Sequence, residues 1–241
     1  MRMDSNAPIG VFDSGIGGLT VAREIMRNLP MEKIVYFGDT ARLPYGSKSQ
    51  ETVLRYSRQI VRFLQNQGVK AIVVACNTAS ALALDTLEKE MDIPILGVVK
   101  PGARVAARET TGKRVGVIAT EATIRSHLYR KLIQEIDPDI SVVGKACPLF
   151  VPLVEEGWRK DPITEMVARR YLQELQEQDI DTLMYPLSSA SQYDRKYYGG
   201  KGTAGKSGIR DVFGIKRTFA GERTFESGRD RGRISVSLLC E

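Results

Sequence analysis

Ala71-Ile-Val-Val-Ala75 is an unbroken apolar run with β-branched residues at its centre, followed at once by Cys76-Asn-Thr-Ala-Ser80. A strand that is apolar at every position has no face for water, which is the pattern of a parallel strand buried on both sides. Such a strand is covered by helices on both faces of its sheet in an α/β fold. Asn77 and Thr78 offer capping side chains, and residues 79–87 read as a helix. Cys76 therefore stands where a strand ends and a helix begins, the end of an open parallel sheet at which ligands bind. Backbone N–H groups and the helix dipole at such a place can lower a thiol pKa from about 8.5. The plainer reading of the same residue is a small buried hydrophobe, as most free cysteines are.

The same alternation runs through most of the chain. Strands are expected at residues 8–12, 33–37, 71–75 and 94–99, and helices at 19–29, 51–67 and 79–87. Lys100-Pro-Gly102 reads as a break. A second series follows, with helices at 103–109, 123–136, 150–156 and 162–178 and strands at 114–119, 140–144 and 180–184. The expected fold is two similar α/β lobes of parallel sheet flanked by helices, with an active-site cleft between them. Residues 1–99 form the first lobe, which carries Asp13 and Cys76, and 100–187 form the second, which is incomplete. Residues 188–241 are a divergent, basic, Gly/Ser-rich tail that reads as disordered, with no strand or helix period before 234–239.

The charge supports that division. The whole chain carries a net +6. Residues 185–241 hold 11 Lys+Arg and 6 Asp+Glu, a balance of +5, which leaves +1 for the rest. The basicity belongs to the tail, and neither aromatic interleaving nor a nucleic-acid fold accompanies it, so no nucleic-acid partner is expected. No apolar run approaches the roughly 18 residues of a membrane span, and residues 1–8 are too polar for a secretory signal. Cys76, Cys147 and Cys240 are far apart, with His127 the single histidine. That set excludes an ordinary zinc site and fits a reduced, cytoplasmic protein.

Three motifs bear on chemistry. Gly15-Ile-Gly17 follows a strand and opens a helix, but the third glycine of a dinucleotide fingerprint is replaced by Thr20, so Asp39 is not read as a ribose ligand. The N–H groups of that turn suit an anion such as a substrate carboxylate, with Asp13 beside them or serving only as a cap. Gly200-Lys-Gly-Thr-Ala-Gly-Lys-Ser207 matches the P-loop expression without the strand it requires, and reads as a chance match. Cys147, before Pro148, reads as packing, and Glu155 as either a solvated helix end or a cleft residue.

Together these stretches resemble the glutamate racemase family. The resemblance rests on Phe12-Asp-Ser-Gly-Ile-Gly-Gly-Leu19, Gly38-Asp39 with Pro44-Tyr-Gly46, Ala75-Cys-Asn-Thr-Ala-Ser80, Pro101-Gly-Ala103 and Cys147-Pro-Leu-Phe-Val-Pro-Leu-Val-Glu-Glu-Gly157. It implies a racemase without cofactor or metal that interconverts L- and D-glutamate for bacterial cell-wall synthesis. One thiolate takes the α-proton and a thiol from the opposite lobe returns one to the other face. Carried over by position, Cys76 is the first-lobe cysteine, Asp13 the acid beside it and Glu155 the second-lobe carboxylate. Ser14, Pro44, Tyr45, Gly46, Asn77 and Thr78 match the substrate-binding positions. Glutamate is the implied small-molecule partner, and a homodimer is compatible with the reading.

The resemblance also exposes a gap. After the strand at 180–184 the family has a Leu-Gly-Cys-Thr-His segment before Tyr-Pro-Leu, whereas here Met184 runs directly into Tyr185-Pro-Leu187. The second catalytic cysteine has no counterpart in this chain. Impaired racemisation follows, and two other readings stand beside it. One is a one-cysteine relative that decarboxylates a small acid or exchanges its proton. The other is a non-catalytic binding protein, since some members of the family bind DNA gyrase. A short deletion with a change of reading frame would account for both the gap and the altered tail. The nucleotide sequence through codons 184–190 should show that change, and an intact frame would contradict it.

Overall fold

The apolar run ending before Cys76 forms strand β3 (Ala71–Val74) in the computed structural model, which describes residues 5–158, 161–185 and 234–238. These residues fall into two compact units. The first holds those up to Tyr45, Ser49–Val98 and a strand near the C-terminus; the second holds Gly46–Lys48 and residues 99–185.

In the first unit the order is β1 (Ile9–Asp13), α1 (Leu19–Asn28), β2 (Ile34–Gly38), α2 (Gln50–Asn66), β3, α3 (Asn77–Leu82), α4 (Leu84–Glu90) and β4 (Ile95–Gly97). The sheet runs β4-β3-β1-β2-β8, parallel throughout, with β8 at Ile234–Leu238. Both faces are apolar because both are covered. Val11, Tyr36 and Val73 cluster with Val21 and Ile25 of α1, while Phe12, Phe37, Ile72 and Val74 cluster with Val53, Ile60 and Leu64 of α2. Each large side chain so enclosed contributes on the order of 2 kcal/mol. Ser49 starts α2 by accepting the Thr52 N–H on its hydroxyl at 3.2 Å.

The second unit contains α5 (Val99–Glu109), β5 (Arg114–Ala119), α6 (Glu121–Arg125), α7 (Leu128–Ile136), β6 (Ser141–Ala146), α8 (Phe150–Glu155), α9 (Pro162–Gln176) and β7 (Thr182–Met184). Its sheet is parallel in the order β6-β5-β7. Ile118, Cys147, Phe150, Leu172 and Leu175 form one core beneath α8 and α9. Two parallel sheets flanked by helices are thus present, as the alternation predicts.

Four local expectations fail for identifiable reasons. Lys100-Pro-Gly102 does not break the chain, because Pro101 lies in the first turn of α5, where its missing N–H costs no bond. Gly102 there is required by contact rather than by a turn: a Cβ would stand 2.5 Å from Met184 Cε. The helix expected at 123–136 is two helices, divided at His127, whose φ of 54° is left-handed. The helix expected at 79–87 is likewise divided at Ala83. Finally, residues 234–238 of the presumed disordered tail form β8, which pairs with β2 from Ile34↔Ile234 to Gly38↔Leu238 and so gives the backbone of that strand a partner. The rest of the tail lies outside the described residues.

One carboxylate ties the second unit together. Asp181 accepts the Thr110 and Thr182 hydroxyls, each at 2.7 Å, and the N–H groups of Gly112 at 2.8 Å and Arg114 at 3.1 Å. Burial opposes its ionisation, but these donors outweigh burial and hold the carboxyl below its usual range. An Asp181→Ala chain should lose about 2 kcal/mol in urea denaturation. Because the folded pKa is lowered, that contribution is present above the ordinary carboxyl range near pH 4 and fades as pH falls through it. An unchanged denaturation midpoint at neutral pH would contradict this role.

Candidate active site

β1 and β3 are neighbours in register, Phe12 pairing with Val74, and the Ala75 N–H extends the ladder to Phe12 O at 2.8 Å. The residues that follow, Asp13 and Cys76, therefore emerge together at the carboxyl end of the sheet. Asp13 is 8% exposed and Cys76 5%. The chain then turns back through glycines, and the turn closes around the Asp13 carboxylate. Oδ2 accepts the Gly18 N–H at 2.9 Å and the Gly15 N–H at 3.3 Å, and the Ser14 N–H adds a further bond. Gly18 is obligatory here: a Cβ would lie 2.5 Å from Asp13 Cβ and 2.9 Å from Ala75 Cβ. Those three N–H groups are thus bonded to the protein's own carboxylate.

Burial raises the Asp13 carboxyl above its usual range, opposed by the Gly18, Gly15 and Ser14 N–H groups and by a hydrogen bond with Cys76. The Cys76 sulfur caps α3 by accepting the Ala79 N–H at 3.4 Å and meets Ser14 Oγ at 3.5 Å. Its thiol is pushed up to about 11, first by burial and then by the charge of Asp13. The lowered pKa expected from the helix start does not hold. α3 has only six residues, and the helping bonds from Ser14 and Ala79 are outweighed by lost hydration and a neighbouring carboxylate. Cys147 differs in kind: it is fully buried in the core of the second unit, and burial pushes it up to about 12.

The remaining expected positions fall as follows. Ser14 is beside the thiol, and Asn77 and Thr78 open α3, Asn77 half-buried and Thr78 buried. Tyr45 is buried, with its hydroxyl donated to Asp39, and Pro44 before it is exposed. Gly46 belongs to the second unit, where a Cβ would stand 2.6 Å from Thr120 Cβ. Glu155 ends α8 in that same unit and is exposed.

Two residues of the first unit take roles the sequence does not announce. Asp39 is fully buried and holds the Tyr45 hydroxyl and, at 2.8 Å, Arg42 Nε. The Arg42 guanidinium in turn lies 4.4 Å from the Tyr56 ring centroid and bonds Gln59 at 2.5 Å. Tyr36, fully buried, donates its hydroxyl to Gly15 O at 2.8 Å. In sequence Tyr36 looks like any strand aromatic; a lone hydroxyl in an otherwise apolar strand is the signal available.

Comparison with known proteins agrees with this geometry. The Asp/Glu/Hydantoin racemase family model matches residues 9–184. A glutamate racemase of Geobacter metallireducens is 56% identical over 184 residues, covering 74% of this chain and 68% of that protein. One from Trichormus variabilis is 58% identical over 179 residues, covering 74% and 61%. The chain thus spans only about two thirds of the length of these curated relatives. Among solved structures, a glutamate racemase isoform of Bacillus anthracis superposes with a TM-score of 0.88 at 35% identity, covering 98% of this chain and 88% of that one. The Francisella tularensis glutamate racemase, solved in complex with D-glutamate, gives 0.86 at 35% identity, covering 97% and 88%. With the family model covering β1 to β7 and the Asp13–Cys76 pair, the chain belongs to the Asp/Glu/hydantoin racemase family, among its glutamate racemases.

Proposed function

We propose that this chain acts on glutamate by proton transfer at Cα, with Cys76 as the base and Asp13 as the group that governs its ionisation. The observation that carries the reading is the burial of carboxyl and thiol together at the ends of two adjacent parallel strands. Proton transfer begins with the thiol proton passing to the Asp13 carboxylate, whose raised pKa suits it to hold one. The thiolate then takes the α-proton of the substrate and becomes a thiol again. A thiol with a raised pKa is rarely ionised, but its thiolate is the stronger base toward carbon. Ser14 beside the thiol and Asn77 and Thr78 at the start of α3 are assigned to orienting the substrate on family resemblance, as is Tyr45, whose hydroxyl Asp39 holds. Pro44, Gly46 and Glu155 are assigned to the site on family resemblance alone.

The relatives bear on the substrate, since one solved relative holds D-glutamate and another, from Escherichia coli, holds L-glutamate. Free thiols at Cys76 and Cys147 fit a reducing compartment, and we assign the reaction to the cytoplasm. Racemisation needs a donor on the face opposite the base. With the second-cysteine segment missing between Met184 and Tyr185, the proton returns on the face it left, so exchange outpaces inversion.

Proton NMR of each enantiomer in heavy water, followed by chiral analysis, tests this. D-Glutamate, the enantiomer that family resemblance assigns to Cys76, should lose its α-hydrogen signal, and Cys76→Ser should abolish the loss. Net inversion should remain near background. Because the thiol proton passes to Asp13 and not to solvent, the exchange rate should change little with pH from neutrality up towards the thiol value of about 11, where the pair shares one proton, and a roughly tenfold rise per pH unit would show that the thiol is ionised by solvent instead. Robust conversion of L- to D-glutamate would show a second base elsewhere, and exchange that survives Cys76→Ser would remove the thiol from the mechanism.

A further inference from the structure

Tyr36 lies in β2 on the sheet face covered by α1, within the cluster that includes Val11, Ile25 and Val73. Packing in that cluster needs the ring and not the hydroxyl, which a phenylalanine would lack at no cost in shape. The hydroxyl has one described partner, the Gly15 carbonyl at 2.8 Å. Gly15 in turn donates its own N–H to Asp13 Oδ2. One residue of the turn, Gly15, is therefore held by Tyr36 through its carbonyl and gives its own N–H to the Asp13 carboxylate.

We infer that Tyr36 is a positioning residue for the Asp13–Cys76 pair: its hydroxyl holds the Gly-rich turn in the shape that fixes the Asp13 carboxylate beside the thiol. This rests on the reading of Cys76 as the proton-transferring group. Among the described residues, the ionisable groups facing that thiol are Asp13 from β1, Tyr36 from β2 and Tyr45 from the 3-10 turn at Tyr45–Ser47. Tyr36 and Tyr45 both have pKa values raised first by burial, so neither carries charge near neutrality. Asp13 is thus the charge that opposes thiolate formation. Without the tether the turn relaxes and the Gly15 and Gly18 N–H groups leave Oδ2. The carboxylate is then no longer fixed beside the thiol, and with its charge farther off its opposition to thiolate weakens.

The test is alkylation of the full chain by iodoacetamide as a function of pH, read by mass spectrometry at the Cys76 and Cys147 peptides, in wild type and Tyr36→Phe. The Cys76 midpoint should fall by about one pH unit in the variant, so that labelling at pH 8 is about tenfold faster. Cys147 labelling should not change, and the thermal midpoint should stay within a few degrees. A rise in Cys76 labelling by the same factor at every pH would mean that the hydroxyl merely braces the fold, and an unshifted curve would mean that it positions nothing; either overturns the inference. Gly18→Ala displaces the same carboxylate directly and should move the midpoint in the same direction, and the opposite movement would also overturn it. The readout needs no turnover. A shifted curve without glutamate exchange would sink the functional reading alone, while exchange with an unshifted curve would sink only the role of Tyr36.

Discussion

A carboxylate buried at the end of the central strand of a parallel sheet is the constraint from which the first unit takes its shape. Asp13 ends β1, and water is excluded from it, so its charge must be met by the chain itself. The Gly-rich turn does that with its backbone N–H groups, at the cost of admitting no side chain at Gly18. The parallel register of β1 and β3 then delivers Cys76 to the same place. The thiol is consequently under two pressures, lost hydration and a neighbouring negative charge, and both make it a reluctant acid and its thiolate a strong base.

Much of this was legible in the sequence. The apolar run at 71–75 reads as a two-sided strand, and the alternation around it yields parallel sheets. The ends of those strands mark Asp13 and Cys76 without any structure. What the sequence could not give was the sum of opposing electrostatic effects at Cys76. A cysteine before a helix suggests an acidic thiol, but the outcome depends on burial and on a carboxylate 63 positions away in the chain. The roles of Tyr36 and Asp39 were hidden for a related reason. Each makes one decisive hydrogen bond across the unit or within a loop, and neither bond leaves a period or a motif.

Element boundaries failed where backbone detail overrode composition. Pro101 reads as a break until its place in the first turn of α5 is known. His127 reads as mid-helix until its left-handed backbone is seen. The tail shows a period only at 234–239, and that stretch does not reveal its place in the first sheet because the pairing partner of β8, β2, lies some two hundred residues away. In both units a buried or half-buried aspartate organises the turns around it, Asp13 in one and Asp181 in the other, which suggests why the sheets can be short and still hold their loops in register.

The central claim is that burial and the charge of Asp13 together keep Cys76 protonated. Ultraviolet titration of the thiolate, taken as the difference between wild type and Cys76→Ala and repeated in the Asp13→Asn background, measures it directly. The account predicts a wild-type midpoint near 11 that moves downward when the carboxylate becomes an amide. A wild-type midpoint at or below the ordinary thiol value of about 8.5, or one indifferent to Asp13→Asn, would contradict it.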